Sequence, residues 1–357
     1  MRLGIIGLPQ SGKTTLFNAF TRGSQPTGAV SGKIEVHTGV VDVPDERVDK
    51  LSAMFNPKKT IYAKVTYADI AGLDGSAGKS GISGVLLNQL TQMDGFIHVV
   101  RCFENDSVPH PSGSINAQRD INTMDSEFIL NDLIVTERKL EKLAEERKKG
   151  AGREKGVVER EFELFNRFHE ALSAEKPLRD MDLNLEDEKS ISGFGMLSRK
   201  PVLIVLNLAE GQAAPQVTYA HKHVLIEALQ GRLEMDIAQL GIDEAQMFMD
   251  EYGIKEPSLS RVISLSYDLL GLQSFFTVGP DECRAWTVRR GAAAPEAAGE
   301  IHTDLQKGFI RAEVVAYNDL ITLGDMKEVK NKGKERLEGK EYIVRDGDIL
   351  NIRFNVK

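Results

Sequence analysis

The stretch GLPQSGKT, residues 7–14, decides the fold that the sequence predicts. It fits the pattern G-x-x-x-x-G-K-S/T, and it lies between an apolar run, RLGIIG (2–7), and a helix-forming run, TTLFNAFTR (14–22). Glycines in such a loop let backbone N–H groups turn inward onto phosphate oxygens, and the N-terminus of the following helix adds partial positive charge. We therefore predict a phosphate-binding loop rather than an innocent glycine turn.

Two short motifs give this loop an expected chemistry. Lys13 is placed to bridge the β- and γ-phosphates, and the Thr14 hydroxyl is placed to ligate Mg²⁺. Downstream, the run DIAG closes an apolar strand, where Asp69 can hold Mg²⁺ through water and the N–H of Gly72 can sense a γ-phosphate. The sequence thus predicts a nucleoside triphosphate site with Mg²⁺ as cofactor and with Lys13, Asp69 and Gly72 as its catalytic group.

A third motif, NLAE (207–210), follows the apolar strand PVLIVLNL (201–208). Guanine-specific switches carry N-K-x-D here, and the Asp accepts hydrogen bonds from two guanine donors. In this chain Leu208 replaces the Lys and Glu210 replaces the Asp, so the longer carboxylate is misplaced for that grip. The pattern favours relaxed or adenine-favouring recognition, with a generic strand-to-helix turn as the alternative.

Composition bounds the class of protein. A chain of 357 residues with 41% hydrophobic and 27% charged residues is typical of a soluble protein with two or three domains. The net charge of −8 argues against a non-specific polyanion binder, so contact with nucleic acid would need local basic patches. No apolar run approaches the roughly 18 residues of a membrane span, and Cys102 and Cys283 lack metal-ligand spacing. We expect a cytoplasmic protein with no membrane partner.

The order of apolar runs predicts an interrupted sheet. Short buried runs separated by helices indicate an α/β sheet covered on both faces. After the run GFIHVVRCF (95–103), heptad-like spacing begins at Glu127, breaks at the basic turn RKKGAGREKG (147–156), and then returns. This spacing predicts an antiparallel coiled-coil hairpin inserted into the sheet domain, with two ordinary core helices as the alternative. From Gln273 onward we predict a small, mostly β domain with a helix near APEAAGEIH (294–302).

These motifs, in this order, resemble the Obg-like ATPase family, also called YchF. The resemblance spans essentially the whole chain, and it is carried by GLPQSGKTT (7–15), VPDERVDKL (43–51), DIAGL (69–73), HVVRCFENDSVPH (98–110), NLAE (207–210) and, above all, the idiosyncratic block 275–314. It implies an α/β fold in which a P-loop G-domain sheet is interrupted by an antiparallel α-helical coiled-coil hairpin and followed by a small β-grasp-like TGS domain. The implied boundaries are 1–125 and 196–272 for the G domain, 126–195 for the insertion and 273–357 for the TGS domain.

The resemblance also implies activity, partners and site residues. The family binds ATP with Mg²⁺, hydrolyses it slowly to ADP and associates with ribosomes, so ribosome or ribosomal RNA is the implied partner of a chain expected to be a monomer. The implied nucleotide contacts are Gly7, Gln10, Ser11, Gly12, Lys13, Thr14, Thr15, Asn207, Leu208 and Glu210. The implied Mg²⁺ ligands are Thr14 and Asp69.

Departures from the family pattern leave alternatives open. In switch I, Lys33 aligns with the Thr that completes Mg²⁺ binding, and Gly32 aligns with a Cys. Leu73 occupies the place where Ras-like enzymes carry the Gln that orients the attacking water, a substitution that the family shares. The competing interpretation is a nucleotide-dependent binding module with little or no hydrolysis, and a true GTPase is a weaker one.

Two basic stretches are candidate RNA contacts. The turn at 147–156 would lie at the tip of the hairpin, and its alternative is a solvated loop. In the C-terminal region, Arg284, Arg289 and Arg290 surround Trp286, as guanidinium and aromatic groups often do at RNA surfaces. The alternative there is a core tryptophan with arginines that reach past it to solvent.

Overall fold

The computed structural model describes residues 1–25, 36–70, 82, 84–149, 153–252, 254 and 256–355. The chain forms two compact units. The first comprises Met1–Gly39 and Thr66–Leu259, and the second comprises Val40–Val65 and Ser260–Lys357. The four domain boundaries predicted from the sequence stay a prediction. The structure places Val40–Val65 in the same unit as the C-terminal region.

A six-stranded sheet organises the first unit. Its strands are β1 (Arg2–Ile6), β2 (Val36–Asp42), β4 (Lys64–Ile70), β5 (Gly95–Arg101), β6 (Val202–Asn207) and β7 (Val224–Leu229). They lie in the order β2-β4-β1-β5-β6-β7, and β1 pairs in parallel with β4 and β5. Every residue of β5 and β6 is buried, as expected for parallel strands covered on both faces. The predicted α/β fold class is confirmed.

Helices cover this sheet and extend from it. They are α1 (Lys13–Thr21), α3 (Gly84–Thr91), α4 (Ala117–Lys149), α5 (Lys155–Ser173), α6 (Leu185–Ile191), α7 (Gly231–Gln239) and α8 (Ile242–Glu251). In the core beneath α4, the rings of Phe96 and Phe128 lie 5.0 Å apart between centroids. Among the described residues, no helix is both long enough and apolar enough to cross a bilayer.

The predicted helical hairpin is the pair α4 and α5, which lies between β5 and β6 along the chain. Helix α4 starts ten residues before the heptad-like spacing does, because Asn116 caps it by accepting a hydrogen bond from the N–H of Arg119 at 2.9 Å. Phe165, Phe168 and Leu172 of α5 are buried in the core that the two helices share. The hairpin therefore has its own hydrophobic core rather than a surface of exposed apolar residues.

The arginines near the predicted basic turn are paired with carboxylates of the hairpin itself. Arg153 contacts Glu146 and Glu161, and Arg147 contacts Glu159 at 2.7 Å. These ion pairs reduce the free positive charge that an RNA backbone would meet. An RNA contact at this turn stays a prediction, and residues 150–152 lie outside the described part of the chain.

The second unit is built on another six-stranded sheet. Its strands are β3 (Lys59–Ile61), β8 (Leu272–Val278), β9 (Glu282–Arg289), β10 (Phe309–Ala316), β11 (Arg336–Glu338) and β12 (Asp348–Phe354), in the order β11-β10-β12-β8-β9-β3. Its helices are α2 (Glu46–Phe55), α9 (Ser258–Leu269), α10 (Ala294–Ile301), α11 (Thr303–Lys307), α12 (Tyr317–Leu323) and α13 (Met326–Asn331), and all but the first two residues of α9 belong to this unit. The predicted helix near 294–302 is α10, and its alanines pack in the core with Phe275.

Trp286 is a half-buried residue of β9. Its indole N–H donates to Thr277 Oγ1 at 2.9 Å, and the guanidinium carbon of Arg284 lies 3.7 Å from its ring centroid. Arg290 is paired with Asp268. An RNA surface here stays a prediction.

Candidate nucleotide-binding site

The loop between β1 and α1 has a backbone that only glycine adopts easily at two places. Gly7 has φ 150°, and a Cβ there would lie 2.4 Å from the carbonyl oxygen of Val99. Gly12 has φ 95°, and a Cβ there would lie 2.3 Å from the Asn207 side chain. Both glycines of the motif are therefore required by close approach as well as by conformation.

Lys13 is the first residue of α1, and its side chain folds back over the loop. Its Nζ donates to the carbonyl oxygens of Gly7 at 3.0 Å and Leu8 at 2.8 Å. Burial lowers the pKa of this lysine to about 8, although the nearby carboxylate of Asp69 acts in the opposite direction. The ammonium is thus held close to the loop in a weakly solvated position, where an anion would stabilise its charge.

Asp69 and Thr14 meet beside the lysine. Asp69 lies at the end of β4, opposite Ile5 of β1, and its Oδ2 accepts a hydrogen bond from Thr14 Oγ1 at 2.8 Å. Burial raises the pKa of Asp69, against the hydrogen bond from Thr14 and the charge of Lys13. The other carboxylate oxygen, Oδ1, is buried and has no hydrogen-bond partner in the described structure.

This donor set fits Mg²⁺. A hydroxyl and a carboxylate with a spare oxygen are the oxygen ligands that Mg²⁺ takes when phosphates and water complete its octahedron. Within the described ranges, no cluster of three or more His, Cys, Asp or Glu side chains offers a separate metal site. The fit for a divalent cation therefore rests on Thr14 and Asp69.

Asn207 connects the loop to the start of α7. Its Nδ2 donates to the carbonyl oxygen of Ser11 at 3.0 Å, and its Oδ1 accepts from the N–H of Gly231 at 3.0 Å. Both ends of the side-chain amide are thus engaged within the protein. A base contact from Asn207 stays a prediction, whereas its link between the loop and α7 is explicit in the geometry.

The neighbouring residues of the third motif are placed differently. Leu208 is 8% exposed and packs in a hydrophobic core of the first unit, while its N–H donates to the carbonyl oxygen of Leu229. Glu210 is exposed on the turn that follows. Contacts of these two side chains with a base remain predictions.

The remaining predicted residues lie along the loop and the first turn of α1. Gln10 is exposed and has a left-handed φ of 61°, Ser11 is buried and Thr15 is half-buried. Gly72 lies outside the described residues, as do Leu73 and the switch I positions Gly32 and Lys33.

Sequence reasoning missed two residues of this region. Gly231 leaves no room for a side chain, since a Cβ there would lie 2.8 Å from Asn207 Oδ1. Gln212 bonds both to Ala209, in the turn that carries Glu210, and to Cys102, the residue that follows β5. No local pattern in the run QGR (230–232) or in GQAAP (211–215) signals these contacts, because their partners are distant in the sequence.

Comparisons with known proteins agree with this geometry. Residues 2–139 match a family described as 50S ribosome-binding GTPase, and residues 272–355 match the family YchF-GTPase_C, described as a protein of unknown function. The chain is 40% identical to the ribosome-binding ATPase YchF of Bacillus subtilis strain 168 over 368 residues, which cover 99% of both chains. The chain belongs to the YchF family.

Other YchF proteins support the same assignment. The ribosome-binding ATPase YchF of Escherichia coli O157:H7 is 40% identical over 365 residues, again with 99% of both chains covered. The structure of the Schizosaccharomyces pombe YchF GTPase has a TM-score of 0.81 at 26% identity, covering 99% of this chain and 97% of that one. The resemblance inferred from the motifs is confirmed.

Proposed function

We propose that this YchF-family chain is a P-loop nucleotide switch that binds ATP with Mg²⁺, hydrolyses it slowly to ADP and phosphate, and couples its nucleotide state to ribosome association. The observation that carries the proposal is the meeting of Lys13, Thr14 and Asp69 at the loop between β1 and α1. The names of the bacterial relatives, ribosome-binding ATPases, support the nucleotide and the partner. A ribosomal partner would place the protein in the cytoplasm.

The chain's own residues would prepare the phosphates for attack. Backbone N–H groups of residues 10–15 would orient the phosphate oxygens, and Lys13 would exchange its two carbonyl contacts for the β- and γ-phosphates. Thr14 and Asp69 would hold Mg²⁺, which neutralises developing charge on the phosphate oxygens when bound. Leu73 offers no side-chain amide to orient the attacking water, so we propose that hydrolysis is slow.

The preference for ATP over GTP rests on the third motif. A carboxylate at the turn after β6 is what grips guanine in guanine-specific switches, and here the longer Glu210 takes that place. Leu208 takes the place of the Lys that accompanies that carboxylate, and it is buried in a hydrophobic core of the first unit. Both features support relaxed or adenine-favouring recognition.

The alternative is a binding module that senses nucleotide and barely hydrolyses it. Lys33 in place of the switch I Thr supports this alternative, because an ammonium cannot ligate Mg²⁺. Leu73 also supports this alternative, because its side chain cannot orient the attacking water.

Single-turnover hydrolysis distinguishes the two proposals. Excess protein is mixed with γ-labelled ATP and Mg²⁺, and phosphate release is compared among the wild type, Lys13→Ala and the exposed-lysine control Lys189→Ala. An enzyme releases phosphate faster than Lys13→Ala and at the same rate as Lys189→Ala. A wild type no faster than Lys13→Ala leaves only the binding module.

Ribosome association is tested separately by co-sedimentation. A switch co-sediments with ribosomes to different extents in ATP and in ADP, and Lys13→Ala loses that difference. Equal association in both nucleotides contradicts the coupling while leaving nucleotide binding intact.

A further inference from the structure

The turn after β6 is fastened by one side chain, that of Gln212. The backbone N–H of Gln212 donates to the carbonyl oxygen of Ala209 at 3.2 Å, which closes a four-residue turn. Gly211 occupies the third position of this turn with φ 69°, a conformation that glycine adopts without strain. Glu210 lies at the exposed corner of the turn.

The side chain of Gln212 makes two further hydrogen bonds in different directions. Its Oε1 accepts from the N–H of Ala209 at 2.8 Å, and its Nε2 donates to the carbonyl oxygen of Cys102 at 2.7 Å. The orientation of the amide is fixed by its partners, because a backbone N–H can only donate and a backbone carbonyl can only accept. One half-buried glutamine thus joins the turn to the residue that follows β5.

These contacts complete a closed loop of hydrogen bonds around the end of the sheet. The N–H of Cys102 donates to the carbonyl oxygen of Asn207 at 2.9 Å, and Asn207 in turn holds the phosphate loop through Ser11. Gln212 therefore fixes the turn relative to the same strand ends that position the phosphate loop. A turn held in this way is ordered before a base arrives, so ordering it costs little on binding.

We propose that Gln212 is a positioning residue for base recognition, which holds the turn of Leu208 and Glu210 in its base-accepting arrangement. This role rests on the proposed nucleotide site, and it goes beyond that site by assigning base discrimination to a residue outside its motifs. The described hydrogen bonds of the Gln212 side chain go to Ala209 and Cys102 and not to residues 7–14, so its loss should weaken contacts to the base and spare contacts to the phosphates.

Three substitutions distinguish the effect of the Gln212 hydrogen bonds from the effect of its side-chain volume. Gln212→Met keeps the length of the side chain and removes both hydrogen bonds. Gln212→Glu keeps the acceptor for Ala209 but sets a carboxylate oxygen against the carbonyl oxygen of Cys102, which adds repulsion. Gln246→Met is the matched control, since Gln246 bonds only to Asp250 on an exposed helical face among the contacts described.

The test is calorimetric titration of the full chain with Mg·ATP, Mg·GTP and inorganic tripolyphosphate. Loss of one or two preorganising hydrogen bonds predicts about a three- to tenfold weaker affinity for ATP in Gln212→Met, with a larger loss in Gln212→Glu. In both Gln212 variants we expect the ratio of ATP affinity to GTP affinity to fall, while the affinity for tripolyphosphate stays at the wild-type value. Gln246→Met should bind all three ligands as the wild type does.

Other outcomes overturn the role in distinguishable ways. An ATP affinity unchanged in Gln212→Met, or an equal loss for ATP and tripolyphosphate, overturns base positioning and leaves the nucleotide site standing. A wild type that binds neither ATP nor tripolyphosphate better than Lys13→Ala overturns the proposed function, and the role of Gln212 falls with it.

Discussion

Lys13 is the residue whose chemistry we expect to respond most directly to a nucleotide. Burial lowers its pKa to about 8, and bound phosphates would favour the ammonium and raise that pKa. Above about pH 8 the protein must therefore take up a proton when ATP binds, so the affinity for ATP falls as the pH rises past this value. Below about pH 7 the lysine is already charged and this contribution vanishes.

Proton uptake is measured by titrating ATP at about pH 7 and about pH 9 in buffers of different ionisation enthalpy. In the wild type we expect proton uptake at the higher pH only. In Lys13→Ala we expect no such rise in proton uptake per ATP bound. Equal uptake at both pH values, or the same uptake in the variant, would contradict the lowered pKa of Lys13.

Gly231 provides a second test at the scale of one residue. A Cβ in Gly231→Ala would lie 2.8 Å from Asn207 Oδ1 and push away the side chain that holds Ser11. At about 1 kcal/mol for each hydrogen bond lost, we expect roughly fivefold to thirtyfold weaker ATP binding by calorimetry. Gly241→Ala is the control, because a Cβ there meets its nearest neighbour at an ordinary 3.5 Å. Equal effects of the two substitutions would refute the link through Asn207.

The phosphate loop was predictable at this scale and the Asn207 link was not. Gly12 and Lys13 lie within one contiguous motif, so their chemistry can be inferred from spacing alone. Gly231 and Gln212 are constrained by Asn207 and Cys102, which are distant along the chain. A single sequence carries no local signal for such contacts.

At the scale of elements, the end of α3 is held by Lys200. Its Nζ donates to the carbonyl oxygens of Leu90 at 3.0 Å, Thr91 at 2.7 Å and Met93, which lie at the end of α3 and just beyond it, where helical acceptors lack some of their partners. Lys200→Met keeps the aliphatic stem but removes the donors. We expect a loss of about 1–3 kcal/mol in the free energy of unfolding, measured with urea. The exposed Lys189→Met is the control, and an equally small loss in both would contradict the capping role.

The lowered pKa of Lys200 makes the free energy of unfolding depend on pH. Burial lowers the pKa of Lys200 to about 8 from its ordinary 10.5. Between these values the unfolded chain holds a proton that the folded chain has released, so stability from this group rises with pH. The stability difference between the wild type and Lys200→Met should therefore widen from about pH 8 to about pH 10. A difference that narrows over this range would refute the lowered pKa.

Element types were more predictable than element boundaries and partners. The apolar runs of β1, β5 and β6 are strands of a sheet whose two faces are both covered, so nearly all of their residues are buried. Such short continuous apolar runs can be recognised in the sequence. The early start of α4 depends on the cap at Asn116, which periodicity does not register. The parallel pairing of β3 with β9 joins Lys59 to Glu282, a contact too distant in sequence to infer from local pattern.

Across the first unit, the hairpin is attached to the sheet through a buried carboxylate. Asp132 of α4 accepts from the N–H groups of Leu197 and Ser198 at 2.9 and 2.7 Å, just before β6 begins. Asp132→Asn places an amide N–H against one of these donors. We expect it to lower the free energy of unfolding by about 1–3 kcal/mol, the cost of leaving a buried backbone donor without its acceptor.

Glu137→Gln, a change at an exposed position of the same helix, is the control for this attachment. Urea unfolding of the two variants and the wild type measures the difference. A loss no greater in Asp132→Asn than in Glu137→Gln would show that the carboxylate does not hold the hairpin.

For the whole molecule, we expect the loop of Lys13 to form a nucleotide site that prefers ATP to GTP. Calorimetric titration of the full chain with ATP and with GTP, each with Mg²⁺, tests it most directly, with Lys13→Ala as the control. We predict that ATP binds more tightly than GTP and that Lys13→Ala loses most of the affinity for both. Equal or tighter binding of GTP would contradict it, because the turn bearing Leu208 and Glu210 would then read guanine.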